Sequence, residues 1–127
     1  MTYLLDTHAL IWFLEDDSRL PEATRIQIET TPSVFVSIVS LWEIAIKANI
    51  GKLTLSFPFG TIETNLIAIG ITKLPITFAD LEVYLSLPLH HRDPFDRLLI
   101  AQTITQSLTF ISRDTQVDAY DVQRFWK

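Results

Sequence analysis

Short apolar runs alternate with longer stretches of helical periodicity along this chain. Tyr3-Leu4-Leu5 and Ser33-Val34-Phe35-Val36-Ser37 read as buried strands, the second of them β-branched and aromatic. Leu108 to Ser112 reads as a third. Between them, Ala9–Glu15 places Leu10, Phe13 and Leu14 on one helical face. Pro21 suits the first turn of a second helix running to Ile28. Ser40 is the expected cap of a third, Leu41 to Asn49, with Gly51 as its terminator. A helix over 59–69 is stopped by Gly70, and Ile71 to Ile76, containing Pro75, reads as an edge strand or connector. Thr77-Phe78-Ala79-Asp80 has the spacing of a capped helix start, for a helix to about Leu87. Asp93-Pro94-Phe95-Asp96 combines an acidic cap, a proline in the first position and an acid in the first turn. Asp114 opens a last short helix or turn. Strands bounded by helices in this order predict a three-layer α/β/α sandwich with a mostly parallel central sheet. At 127 residues the expectation is a single domain over 1–127.

Composition narrows the function classes. With 48% hydrophobic and 20% charged residues the chain is too apolar for disorder. No uncharged apolar run has the length of a spanning helix, so no membrane is expected. The start lacks the basic region of a secretory signal, which sets a cytoplasmic expectation. The absence of cysteine excludes disulfides, thiolate nucleophiles and zinc–sulfur sites. Fifteen acids against ten bases give a net charge of −5, which argues against coating nucleic acid by bulk charge. The apolar excess points to a subunit interface.

The acids acquire meaning from where they fall. Asp6 and Asp114 follow strands, and open parallel sheets bind ligands beyond the carboxyl ends of their strands. Glu43 sits in an almost wholly apolar stretch, where a carboxylate needs a partner. Asp96 lies in a first helical turn. Singly, Asp93 and Asp114 read first as helix caps or dipole partners, Asp96 reads either way, and Asp6 can serve as a cap of the first helix. Jointly, Asp6, Glu43, Asp96 and Asp114 would repel one another unless a cation joined them, and their oxygen ligands select Mg²⁺ or Mn²⁺. The histidines do not form a zinc-like spacing, since His90 and His91 are adjacent and His8 is remote. An acidic Mg²⁺ site is usual equipment for phosphoryl chemistry.

Four blocks then carry a resemblance: Leu5-Asp6-Thr7-His8-Ala9-Leu10-Ile11-Trp12; the run from Val36 to Lys47 with Asn49-Ile50-Gly51-Lys52-Leu53; Leu89-His90-His91-Arg92-Asp93-Pro94-Phe95-Asp96-Arg97-Leu98-Leu99-Ile100-Ala101-Gln102; and Phe110-Ile111-Ser112-Arg113-Asp114. In order and spacing they resemble the PIN-domain ribonucleases, and within them the VapC-like toxins of type II toxin–antitoxin systems. The resemblance implies a PIN-like fold and a Mg²⁺- or Mn²⁺-dependent endoribonuclease that leaves a 5′-phosphate and a 3′-hydroxyl. It assigns Asp6, Glu43, Asp96 and Asp114 as catalytic, metal-holding acids and Thr7 as a hydroxyl beside the metal. Asp96 rather than Asp93 matches the family's acid, and helix-start logic agrees, since Asp93 is the natural cap. The resemblance further implies a homodimer, an RNA substrate and a cognate small antitoxin protein that inserts a segment near the acids, often through an arginine. Arg92, Arg97, Arg113 and Lys47 flank the blocks as candidate RNA contacts, or equally as structural partners of acids. Loop His90 and His91 are expected to be solvated, and Trp12, Trp42, Phe13 and Phe95 to serve core or dimer contacts.

Three other readings compete. A receiver domain wants an acid pair after the first strand and a late lysine; here Asp6 stands alone and only Lys127 is late. A haloacid-dehalogenase-type phosphatase wants Asp-x-Asp where this chain reads Asp6-Thr7-His8. A non-catalytic PIN-like RNA- or protein-binding subunit is opposed only by the retention of all four acids.

Overall fold

The computed structural model describes residues 1–127. Five strands form one sheet: β1 (Tyr3–Leu5), β2 (Val34–Ser37), β3 (Thr72–Leu74), β4 (Thr109–Ile111) and β5 (Gln123–Phe125). Their order is β3-β2-β1-β4-β5 and every pairing is parallel, with Leu5 opposite Val36 on one side and Ile111 on the other. Six helices connect them: α1 (Thr7–Leu14), α2 (Glu22–Thr30), α3 (Ile38–Asn49), α4 (Ile62–Ile69), α5 (Phe78–Ser86) and α6 (Pro94–Thr105). No helix is long and apolar enough to cross a membrane.

The two-residue alternation of the strands divides the interior into two cores. Tyr3, Leu5, Val34, Val36 and Ile111 pack with Leu10 of α1, Ile28 of α2 and Leu66 of α4. Leu4 and Phe110 face the other way, against Val39 of α3 and Leu99 and Ile100 of α6. Sheet residues are apolar on both faces because helices cover both. Truncating a fully buried Leu99 or Ile100 to Ala would cost about 2–5 kcal/mol.

Most expected elements form, with informative shifts. Helix α3 begins earlier than expected: Ser37, the last residue of β2, caps it by accepting from the Val39 N–H at 3.0 Å. Ser40 is therefore interior to α3 and free for another role. Thr77 and Asp80 form the reciprocal cap of α5. Asp93 caps α6, accepting from the Phe95 N–H at 2.8 Å. Gly70 ends α4 in the left-handed conformation, at φ 80°. The segment with Pro75 yields β3 at the sheet edge. Residues 59–61 form a separate 3₁₀ turn ahead of α4. Strand β5 has no counterpart in the hydrophobic pattern, because Gln123-Arg124-Phe125 shows no run of β-branched residues.

A buried polar chain locks the helices that present the site. Ser37 Oγ donates to Gln102 Oε1 at 2.5 Å, and Gln102 Nε2 donates to the Pro75 carbonyl at 3.1 Å and to Asp80 Oδ2 at 3.4 Å. The starts of α3 and α5 are thus tied to α6, so Glu43 and Asp96 ride on helices held in register.

Candidate functional site: an acidic cleft at the carboxyl ends of the strands

Strands β1, β2 and β4 deliver their following residues to one edge of the sheet. Asp6 caps α1 there, its Oδ1 accepting from the Ala9 N–H at 2.7 Å. Asp114 follows β4 and caps a 3₁₀ turn over Thr115–Ala119 through the Gln116 N–H at 2.9 Å. Asp96 stands in the first turn of α6. Asp6, Asp96 and Asp114 line one cavity of 230 Å³ together with His8, His91 and Ser112. Capping does not exhaust these acids, since a carboxylate has two oxygens and further lone pairs.

Glu43 approaches from α3 and is 4% exposed. Its Oε1 accepts from the Thr7 hydroxyl at 2.7 Å, with Ser40 Oγ also 3.0 Å from Thr7. Its Oε2 pairs with Lys47 Nζ at 2.6 Å, one helical turn on. That hydrogen bond raises the Lys47 pKa above its ordinary value. Thr7 and Ser40 therefore fix the rotamer of a buried acid.

Two carboxylates lie without an ion pair. Burial raises the Asp6 carboxyl above its usual value, opposed by hydrogen bonds from Ser112 and the Ala9 N–H. Asp96 is pushed up to about 6, first by burial and then by the charges of Asp93 and Glu43, with a smaller push from Asp6. In each the charged form is disfavoured relative to a free carboxylate, and a bound cation would offset that.

The sequence leaves all four carboxylates without partners; the structure gives two of them one. Glu43 takes Lys47, and Asp114 Oδ2 lies 2.6 Å from His91 Nε2. His91 is 7% exposed, and its Nδ1 is held 3.1 Å from the Tyr120 hydroxyl. The expectation of a solvated His91 is thus corrected. Its spacing from Asp114 in sequence offered no signal for the pairing.

Arg97 is also corrected. Rather than facing the cleft, it is 7% exposed and donates to the carbonyls of Tyr84, Leu87, Pro88 and His91, with its guanidinium 4.9 Å from the Tyr84 ring centroid. A buried guanidinium saturated by carbonyls is a loop fastener, not a phosphate ligand. Lys47 is engaged by Glu43. Arg92 and Arg113 remain exposed, and Arg113 lines a 460 Å³ cleft with Asp6, His8 and Asp114.

No three acidic or histidine side chains converge into a ready metal cage. The donor set nevertheless suits one kind of ion. Mg²⁺ keeps much of its water and is usually held by one or two carboxylates plus substrate phosphates. Asp6 and Asp96, two oxygen donors without a base and sharing a small cavity, fit that pattern.

Comparison with known proteins bears on this arrangement. A family model described as the PIN domain matches residues 3–123. Searching the curated proteins found no match. Among solved structures, VapBC2 from Rickettsia felis bound to a DNA fragment from its promoter aligns with a TM-score of 0.74 at 14% identity, covering 100% of both chains. FitAcB from Neisseria gonorrhoeae gives 0.66 at 20%, covering 98% of this chain and 96% of that one. Mycobacterium tuberculosis VapC20, a sarcin-ricin loop cleaving toxin, gives 0.67 at 13%, covering 99% and 100%. At these identities the likeness is one of fold.

Proposed function

The chain belongs to the PIN-domain family, and from that premise we propose that it is a metal-dependent endoribonuclease, the toxin of a toxin–antitoxin pair. The observation that carries the proposal is the placement of Asp6 and Asp96 without ion pairs in one cavity, Asp96 with its pKa at about 6. Carboxylates whose charge burial disfavours are costly to keep unless a cation serves them. The solved relatives support the same reading, one being a toxin–antitoxin complex from Klebsiella pneumoniae and another a sarcin-ricin loop cleaving toxin.

In this reading Asp6 and Asp96 would hold Mg²⁺ or Mn²⁺, with Asp114 on the same cavity wall and Glu43 behind it, outside the cavity lining. The bound ion supplies a water of lowered pKa and neutralises charge on the phosphate. Asp6 is oriented before substrate arrives by the hydrogen bond from the Ala9 N–H, while Asp96, in the first turn of α6, keeps its carboxylate free because Asp93 takes the cap. Thr7 and Lys47 hold Glu43 beside Asp96, where it can accept a proton or order a water. His91 keeps Asp114 turned toward the cavity. The non-catalytic alternative requires these acids to serve helix capping alone, which leaves Asp96 unexplained, since Asp93 already caps α6.

The test is RNA cleavage by purified protein in Mg²⁺, Mn²⁺ or EDTA. The expected products carry 5′-phosphate and 3′-hydroxyl ends and form only with metal. Products ending in 2′,3′-cyclic phosphate, or undiminished cleavage in EDTA, would overturn the reading.

The partners proposed are a small antitoxin and a second copy of this chain. The acidic cleft suits an inserted arginine, whose guanidinium can stand in for the metal's charge. On α5, Phe78, Leu81 and Leu85 are exposed at i, i+3 and i+7, to 76%, 48% and 86%. Such a stripe on a helix marks an interaction surface. Leu85→Glu is expected to turn a dimer into a monomer by sedimentation equilibrium; an unchanged dimer would place the interface elsewhere.

A further inference from the structure

His8 occupies a position that the proposed chemistry does not use. It lies in the first turn of α1, is exposed, and stacks on Trp12 one turn later, with ring centroids 5.6 Å apart and planes at 29°. Trp12 itself is 8% exposed and so offers no free face, but it backs the imidazole rigidly. His8 is also the one residue common to three adjoining cavities. These are the 230 Å³ acidic cavity, the 460 Å³ cleft that contains Arg113, and a 480 Å³ cleft that contains Thr7, Trp12 and Lys52. The Arg113 and Lys52 clefts meet at His8 and Trp12, and of these two His8 also lines the acidic cavity and is the exposed one.

The cations point along the same line. Arg19, Arg25, Lys47, Lys73 and Arg124 are bound to carboxylates, and Arg97 to carbonyls. Lys52, Arg92, Arg113 and Lys127 have no carboxylate partner. Two of these four, Lys52 and Arg113, line the clefts on either side of His8. The Arg113 guanidinium lies 5.9 Å from the Trp12 ring centroid, so that ring braces both His8 and Arg113. Glu15 and Asp17 also line the Lys52 cleft, but Asp17 is neutralised by Arg19 at 2.7 Å.

We propose that His8 is a stacking platform for a nucleobase beside the scissile phosphate, with Arg113 and Lys52 holding neighbouring phosphates. Resting on the ribonuclease reading, this names the side chains that position the strand at that site. An aromatic platform needs a base with one face open, which a duplex does not present within its stack. Two cations a few nucleotides apart fix the strand's register without reading its sequence. The overall charge of −5 then matters little, because the free cations that flank the acids lie where the strand runs.

The experiment uses a fluorescein-labelled 20-nucleotide single-stranded RNA of mixed sequence and its blunt duplex. Binding is read by anisotropy in EDTA, and cleavage of the same strand in Mn²⁺. Wild type is expected to bind the single strand at least tenfold more tightly than the duplex. His8→Ala should weaken single-strand binding by about tenfold, the scale of one base–aromatic stack, and raise KM more than it lowers kcat. His8→Phe should restore binding to within about threefold of wild type. Arg113→Ala and Lys52→Ala should each lower the slope of log affinity against log salt by about one. Cleavage by wild type together with unchanged binding in His8→Ala would overturn the platform and leave the ribonuclease intact. Tighter binding of duplex than of single strand would also overturn the platform, because a base inside a duplex stack offers it no open face. Wild type that neither binds nor cleaves RNA would overturn both readings.

Discussion

Asp96→Asn is expected to lower RNA cleavage by about 10³-fold while making the metal-free protein more stable at pH 7. The two effects have one origin. The Asp96 carboxyl is pushed up to about 6 by burial and by the neighbouring charges of Asp93 and Glu43. Its ionised form is therefore a burden on the folded state and a resource for a metal. A raised carboxyl pKa gives stability that is fully present below the unfolded-state value near 3.8 and is lost as pH climbs through about 6. A shift of about two units corresponds to about 3 kcal/mol, which solvent screening of a half-buried group reduces to about 1–2 kcal/mol. Asparagine carries no charge and should recover that amount at pH 7, and nothing at pH 3.5. Urea denaturation in EDTA at both pH values checks this. Saturating Mn²⁺ should reverse the ranking, because an ion that binds only the folded state stabilises wild type more than the variant. A metal-free Asp96→Asn protein no more stable than wild type at pH 7 would mean that the carboxylate is not strained.

Arg97→Ala is expected to lose about 3–5 kcal/mol of stability, the largest cost of any single change in the region. The guanidinium reaches the carbonyls of Tyr84, Leu87, Pro88 and His91 and stacks near Tyr84. Removing it leaves several carbonyls short of a donor and opens a void between the α5 end and the loop into α6. Arg97→Lys should recover little, because an ammonium cannot present the planar fork that serves four acceptors. Since the same loop carries His91 and Asp93, Asp114 should lose its partner as the loop loosens. Chemical denaturation measures the first effect. A loss below about 1 kcal/mol would show that the loop does not depend on this residue.

Much of the architecture was legible because it rests on local rules. Apolar strands separated by helices demand a parallel sheet covered on both faces, and that is what forms. Asp93-Pro94-Phe95-Asp96 announces both a cap and a spare carboxylate, and the hydrogen bond from the Phe95 N–H falls on Asp93. Where two serines compete, local rules are weaker. Ser37 won the cap of α3 because β2 runs into the helix without a loop, and Ser40 turned toward Thr7 instead. Strand β5 forms through pairing with β4, a tertiary effect that its own residues do not signal.

The site was legible in its acids and not in what neutralises them. Strand ends and helix starts place Asp6, Asp96 and Asp114, and these are properties of the local chain. The His91–Asp114 pair and the carbonyl cradle of Arg97 depend on how a loop folds back, which spacing in sequence does not encode. Arginines beside acids in sequence therefore looked alike, while in space Arg97 is buried and Arg113 is exposed. His8 and Trp12 were separable only once the stacking showed which ring covers the other.

In the proposed function Asp6 and Asp96 make the acidic cleft a hydrolytic centre. Its most direct test compares wild type and Asp6→Ala, purified identically, for cleavage of one single-stranded RNA in Mn²⁺. Wild type is expected to cleave, and Asp6→Ala at a rate at least about 10²-fold lower, with both proteins folded by circular dichroism. Equal rates from the two proteins would contradict it.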